Sequence, residues 1–283
     1  MYNNTNYDVD LFIINALRED IADGDHTSKS CIDENTEGRA KLFVKEDGVL
    51  SGVEIARRVM ELVDKDMLMF VHISDGAEIK VGDVVLEIVG RAQSILKTER
   101  LLLNIMQRMS GIATNTSKYV KIAEGTNATI LDTRKTTPGM RYFEKMAVKH
   151  GGGMNHRFGL YDMIMIKDNH IDYAGGIKNA IEKTKAYLKE KNKNLKIEVE
   201  ARSFDEINEI MAVGGIDRIM IDNFTPSDCK KAVELIAKKF ETEASGGITD
   251  QTLRDYAETG VDFISIGALT HHIKSLDLSL KAV

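Results

Sequence analysis

The stretch KIEVEARSFDEINEIMAVGGIDRIMID, residues 196–222, decides the fold. It opens on a short apolar run that stops at Glu200, passes through a helical pattern at 205–213, and returns to a second apolar run, RIMID, that stops at Asp222. Strand, helix and strand in so short an interval make a βα repeat, and repeated βα units build a parallel sheet. The rhythm extends both ways. TILD stops at Asp132, MIMI runs into Lys167-Asp168-Asn169, ETEASGG carries Ser245-Gly246-Gly247, and FISIG stops at Gly267. Six such runs predict either an incomplete α/β (TIM-like) barrel or an open doubly wound sheet. In both, chemistry collects at the C-terminal ends of the strands.

Upstream the style differs. Helical periodicity marks 8–19 and 53–63. Strand patterns with turn signals mark 38–46, 67–73 and 83–89. This half reads as an α+β domain. A long helix follows from Ser94 to Ala123, with Gly111 expected to bend or break it. The 283 residues are 43% hydrophobic, enough for a sizeable core, yet hold no run of about 18 apolar residues that could span a membrane. A net charge of −6 argues against nucleic-acid binding over the whole surface. The start of the chain lacks the basic region of a signal peptide. Cys31 and Cys229 make neither a disulfide framework nor a zinc cluster, and no histidine spacing suggests zinc. The expectation is a soluble cytoplasmic protein.

Charge is unevenly spread. Residues 134–167 hold seven cations, Arg134, Lys135, Arg141, Lys145, Lys149, Arg157 and Lys167, against the acids Glu144 and Asp162. Lys145 and Lys149, four apart, suit a solvated helix face. Lys167 does not, because it ends an apolar run, where a charge needs a cavity or a partner. Arg134 and Lys135 follow TILD in the same way. Cations converging on strand ends read as a pocket for a small polyanion, and guanidinium forks suit carboxylate or phosphate. Glu198 and Glu200 alternate along one strand and share a face. Glu200 and Asp222 both end strands. They are either ion-pair partners of the cations or a site for Mg²⁺ or sugar hydroxyls. Ser245-Gly246-Gly247 and Gly267-Ala268 follow late strands and precede helical segments, where backbone N–H groups can cradle phosphate. Gly151-Gly152-Gly153 is a helix stop or a flexible connection. Among the histidines, His156 beside Arg157 is the first functional candidate, followed by His170 and His271.

The stretch LDTRKTTPGMRYFEKMAVKHGGGMNHRFGLYDMIMIKDNHI (131–171) resembles the signature region of the quinolinate phosphoribosyltransferases. EDIADGDHTS (19–28), TERLLLNIMQRMSGIAT (98–114), IEVEARS (197–203), IMIDNF (219–224), EASGGI (243–248) and ISIGALTH (264–271) resemble further family stretches, in order, over nearly the whole chain. The departure is His26, where the family more often has an apolar residue.

The resemblance implies an N-terminal α+β sandwich-like domain (1–110), an incomplete α/β barrel (111–270), and a tail (271–283) returning to the first domain. It implies a homodimer with shared active sites, possibly of higher order, acting on quinolinate and phosphoribosyl pyrophosphate. The products would be nicotinate mononucleotide, pyrophosphate and CO₂, with Mg²⁺ as cofactor. By the same resemblance Arg134, His156, Arg157 and Lys167 would hold quinolinate, with Arg100 from the neighbouring subunit. Lys135, Glu200 and Asp222 would hold the phosphoribosyl donor, the last two with Mg²⁺. Ser245, Gly246, Gly247 and Gly267 would take its 5′-phosphate, with His271 nearby. Lys135, Lys167, Glu200 and Asp222 would be the catalytic set. Two rival readings are a Schiff-base lyase using Lys167 and a repurposed relative of the molybdenum-transport-associated proteins.

Overall fold

The computed structural model describes residues 7–283; the first six, where the missing signal-peptide region was sought, lie outside the described residues. In chain order the first half holds α1 (Val9–Ile21), α2 (His26–Cys31), β1 (Glu37–Val44), β2 (Gly48–Val49), α3 (Val53–Val63), β3 (Leu68–Val71), β4 (Glu78–Ile79), β5 (Val84–Arg91) and α4 (Ala92–Ala123). The second half holds β6 (Thr129–Leu131), α5 (Arg141–His150), β7 (Ile164–Ile166), α6 (Asp168–Ala174), α7 (Ile177–Glu190), β8 (Ile197–Ala201), α8 (Phe204–Val213), β9 (Arg218–Asp222), α9 (Pro226–Ile236), β10 (Glu241–Ser245), α10 (Leu253–Ala257), β11 (Phe263–Ser265), α11 (Ala268–His271) and β12 (Leu278–Ala282). Among the described residues no helix is long and apolar enough to cross a membrane. Cys31 is exposed and Cys229 buried, both as free thiols.

The chain divides into two compact units. One takes residues up to Ser117 with Thr136–Gly152 and Leu269–Val283; the other takes Lys118–Lys135 with Gly153–Ala268. In this division α5 joins the first unit. The reason is local. Phe143, Ala147 and Val148 of α5 are buried. The fully buried Glu144 carboxylate accepts from Arg108 of α4 at 2.9 and 2.6 Å. Lys145 departs from the solvated-face reading, being fully buried, whereas Lys149 is exposed.

The first unit is built on an antiparallel sheet in the order β12-β1-β5-β3. Alternation along β1 sends Ala40, Leu42 and Val44 inward, with Leu42 in register with Leu86 on one side and Leu280 on the other. Val53, Ala56 and Met60 of α3 and Leu102 and Met106 of α4 join this core. On the opposite face Arg39, Lys41 and His72 converge on Glu87. The tail thus ends as a sheet strand of the first unit. α3 starts where it does because the Asp75 carboxylate accepts from the N–H groups of Gly52 and Val53 at 2.6 and 2.9 Å.

The second unit is a six-stranded, all-parallel sheet in the order β6-β11-β10-β9-β8-β7, the incomplete barrel expected. Two of its helices start on side-chain caps: Ser203 accepts from Glu206 N–H ahead of α8, and Thr225 from Asp228 N–H ahead of α9, where Pro226 takes the first turn. Parallel pairing brings the C-terminal ends of all six strands to one rim.

α4 runs through Gly111 without a break, correcting the sequence reading. The glycine serves close approach, because a Cβ there would lie 2.2 Å from the Lys274 carbonyl oxygen. Helix propensity alone would make Gly111→Ala stabilising by about 1 kcal/mol. The backbone clash outweighs it, so urea unfolding should show a net loss of about 1–3 kcal/mol.

Candidate active site

The parallel ladder sets the site from its floor to its rim. Glu198 stands opposite Arg218, and Asp222 opposite Ser245. Alternation turns Glu198 and Glu200, Met220 and Asp222, and Glu243 and Ser245 to one face, and Met220, Glu243 and Ser245 line a cavity of about 310 Å³. Arg134, Lys135, Arg157 and Lys167 line the same cavity. A neighbouring cavity of about 530 Å³ shares Arg134, Arg157 and Lys167 and adds His170 and Lys183. Four cations around so small a volume select an anion of more than one charge. They also crowd one another: burial, and then the charge of Arg134, hold the Arg157 guanidinium below its ordinary value.

Two loops are tied together to place these groups. The fully buried Asp132, after β6, accepts from the His156 N–H at 2.9 Å and from Asn155 Nδ2 at 2.6 Å. Asp162 closes the next turn by accepting from Phe158 N–H at 2.6 Å and Gly159 N–H at 2.8 Å. The Arg157 Nη1 donates to the Met163 carbonyl at 3.3 Å. His156 and Arg157 are thereby fixed side by side at the rim.

The floor is a buried charge network. His156 Nε2 lies 2.9 Å from Glu198 Oε2 and 3.4 Å from Glu243 Oε2. Arg218 Nη1 lies 2.7 Å from Glu243 Oε2, and its Nη2 lies 3.1 Å from Glu241. The Arg218 guanidinium also stands 3.8 Å from the centre of the Phe263 ring. Burial pushes the Glu198 carboxyl up, aided by the charge of Glu243. Burial works the same way on Glu243 but is overcome by His156 and Arg218, which hold it low. For His156, burial lowers the pKa and the two carboxylates more than restore it, to about 9. The Arg157 N–H, 2.7 Å from Nδ1, works against the doubly protonated ring. Both influences leave the Nε2 proton held between the carboxylates. His156, Glu198 and Glu243 could offer three ligand atoms to a metal. Arg218 already supplies a positive charge there, so the arrangement is a charge network.

At the rim Lys167 Nζ stands 3.4 Å from Glu200 Oε2. Glu200 and Asp222 both sit above the ordinary carboxylate range. The first cause for each is burial, offset by Lys167, and Asp222 adds repulsion at Glu200. A pair of hard oxygen donors short of positive charge suits a divalent cation such as Mg²⁺, or hydroxyl groups. Beside them Gly246 and Gly247 take φ of +98° and +61°. α10 has five residues and α11 four, so the helix dipole expected there is short. The backbone N–H groups of the glycine turn remain the better anion donors. Gly267 leads directly into α11.

The structure therefore gathers Arg134, Lys135, His156, Arg157, Lys167 and Ser245 around one cavity, with Glu200 and Asp222 at neighbouring strand ends. Arg100, exposed on α4, and His271, exposed at the end of α11, belong to the first unit. Gly151 ends α5 as a helix stop. Sequence reasoning missed Glu243 and Arg218. The signal was available: Glu241, Glu243 and Ser245 alternate as Glu198 and Glu200 do.

Comparison with known proteins places these residues in a family. The family pattern described as quinolinate phosphoribosyl transferase, C-terminal domain, matches residues 112–281, and its N-terminal counterpart matches residues 25–110. A tobacco (Nicotiana tabacum) protein named quinolinate phosphoribosyltransferase [decarboxylating] 1b is 43% identical over 97% of this chain and 82% of its own. A Bacillus subtilis (strain 168) protein named probable nicotinate-nucleotide pyrophosphorylase [carboxylating] is 43% identical over 93% of this chain and 89% of its own. The crystal structure of NadC from Streptococcus pyogenes superposes with a TM-score of 0.92 at 39% identity, covering 99% of both chains. The nicotinate-nucleotide pyrophosphorylase of Francisella tularensis superposes equally well, at 39% identity over 100% of this chain and 99% of its own.

The floor network carries a pH signature. The Glu198 carboxyl is raised from 4.5 to about 7 in the folded chain. A raised carboxyl favours folding while protonated, and that advantage is lost as pH climbs through the folded value. Glu198→Gln should therefore gain stability relative to the natural chain between pH 5 and pH 8, by about 1–3 kcal/mol. Urea unfolding at both pH values measures it; a difference independent of pH would mean that Glu198 is ionised throughout.

Proposed function

The chain belongs to the quinolinate phosphoribosyltransferase family, and we propose that it joins quinolinate to phosphoribosyl pyrophosphate with Mg²⁺ and loss of CO₂, giving nicotinate mononucleotide for NAD biosynthesis. The observation that carries this reading is the cavity lined by Arg134, Lys135, Arg157 and Lys167 beside the carboxylates Glu200 and Asp222. Quinolinate is a dianion and its co-substrate carries a monophosphate and a pyrophosphate. No single carboxylate would use so many cations.

In this reading Arg134, His156, Arg157 and Lys167 hold the two carboxylates of quinolinate. Lys135 holds the pyrophosphate, Glu200 and Asp222 the ribose hydroxyls, and the Ser245-Gly246-Gly247 turn with Gly267 the 5′-phosphate. The pyridine nitrogen supplies the nucleophile, so the protein's part is positioning and charge stabilisation. As the C1′–N bond forms, the C1′–O bond to pyrophosphate breaks, and Lys135 meets the charge that departs. Glu200 and Asp222 would hold Mg²⁺, which when bound neutralises charge on the leaving pyrophosphate. The neighbouring C–CO₂ bond then breaks, and its electron pair stays on the ring carbon, stabilised by the positive charge of the adjacent quaternised nitrogen. CO₂ leaves, and a proton takes its place on the ring. Lys167 serves the anion pocket. Its ion pair with Glu200 disfavours the Schiff-base reading, which needs a free amine lone pair.

Quinolinate should react, while nicotinate, lacking the second carboxylate, should not react appreciably. Leaving charged donors unpaired costs roughly 1–3 kcal/mol or more each. Product formation from each acid, with and without Mg²⁺, checks both the substrate and the metal. Comparable turnover of nicotinate would overturn the assignment.

We further propose that two copies of the chain pair and that Arg100 of each reaches the cavity of its partner. Arg100→Ala and Lys135→Ala should each be inactive alone. Co-refolded in equal amounts, they should recover about a quarter of the natural sites, since half of randomly formed two-fold dimers are mixed and each mixed dimer has one intact site. No recovery in confirmed mixed dimers would place Arg100 outside the shared site.

A further inference from the structure

The end of β9 holds a residue that no role above uses. Asn223 has φ +58°, in the left-handed region that asparagine tolerates better than most side chains. Its Nδ2 donates to Asp222 Oδ2 at 2.6 Å, and its backbone N–H donates to the Ser245 carbonyl at 2.8 Å. Its Oδ1 fills the space where Gly246 lacks a side chain: a Cβ on Gly246 would lie 2.2 Å from that oxygen and 2.9 Å from the Asn223 nitrogen. The next residue anchors the turn. The Phe224 ring packs edge-on against Phe204, with centroids 5.3 Å apart, and the Phe224 carbonyl accepts from Tyr256 Oη at 2.7 Å.

One amide thus touches a strand-end carboxylate with its donor and the glycine turn with its acceptor. An aspartate here would set a second negative charge against Asp222, and a leucine or alanine would leave that carboxylate without its donor. We infer that Asn223 is a positioning residue that couples the Asp222 carboxylate to the Ser245-Gly246-Gly247 turn, so that the ribose end and the phosphate end of the phosphoribosyl pyrophosphate subsite are set at a fixed separation. This rests on the assignment of Asp222 and the glycine turn to that substrate. Quinolinate lies among the cations and does not depend on the coupling.

Two variants separate backbone from side chain. Asn223→Gly keeps the left-handed conformation and removes the amide; Asn223→Ala removes the amide and also strains the backbone. The measurements are initial-rate KM values for both substrates, kcat, and the thermal midpoint. Asn223→Gly should raise the KM for phosphoribosyl pyrophosphate about tenfold, the scale of one hydrogen bond to a charged group, and leave the KM for quinolinate within about twofold. Its thermal midpoint should match the natural chain, whereas that of Asn223→Ala should fall. An unchanged KM for phosphoribosyl pyrophosphate in Asn223→Gly would overturn the inference. So would equal increases in both KM values with a lowered midpoint, which would make the role structural. A natural chain that forms no nicotinate mononucleotide would instead remove the reading of the subsite, and this inference with it.

Discussion

One buried guanidinium makes the interior of the barrel tenable. Glu198 and Glu243 are fully buried, and a carboxylate out of water without a counter-charge costs several kcal/mol. Arg218 reaches Glu243 and Glu241 with separate nitrogens and rests its flat face on Phe263. Lysine could not do this, because it lacks both the fork and the planar face. With Arg218 in place the two inner glutamates can hold His156 from below, and the cavity gains a polar floor beneath its cationic rim. Strand pairing decides where the rim is. Arg218 decides that the layer under it can carry charge at all.

Much of the barrel was legible because strand ends in a parallel sheet announce themselves. An apolar run that stops at Lys167, Glu200 or Asp222 has nowhere to put the charge except the rim. Less legible were residues whose meaning depends on what lies across the sheet. Arg218 begins its strand and reads as a surface charge, until its register against Glu198 and Glu241 is known. Gly111 looked like a helix breaker because sequence shows conformational freedom and hides close approach. Lys145 looked solvated because a pattern four residues long cannot reveal that the helix is covered on that side as well. Arg100 was reachable through the family resemblance, and His271 was singled out among the histidines without a role until that resemblance gave one. Arg100 does not lie at a strand end, and the strand-end pattern of the barrel gives no reason to choose it.

The site divides labour between elements of different stiffness. Arg134 and Lys135 come from the loop after β6, Arg157 from the loop before β7 and Lys167 from the end of β7, and the first two loops are stiffened by buried or turn-closing carboxylates, Asp132 and Asp162. Carboxylates come from the ends of β8 and β9, which inherit the rigidity of the ladder. Groups that bind highly charged ligands must be fixed before the ligand arrives, or much of the binding energy is lost in ordering them. Here the anchoring bonds are short and run to backbone N–H groups, so the loops are held without using the cationic heads.

The pairing of β12 with β1 has a consequence for the birth of the molecule. Ala40 through Val44 meet Ala282 through Leu278, so two adjacent strands of one sheet leave the ribosome far apart in time. At the usual pace of synthesis, about 5–20 residues per second, the gap is roughly 10–50 seconds. Throughout it β1 is an open edge, carrying unmet hydrogen-bonding groups beside Leu42, and an open edge invites pairing with other chains. The intervening polypeptide meanwhile contains all six strands of the barrel, which can assemble while the first sheet still waits. Nascent chains stalled before residue 278 would therefore carry a finished catalytic half beside an adhesive, incomplete one.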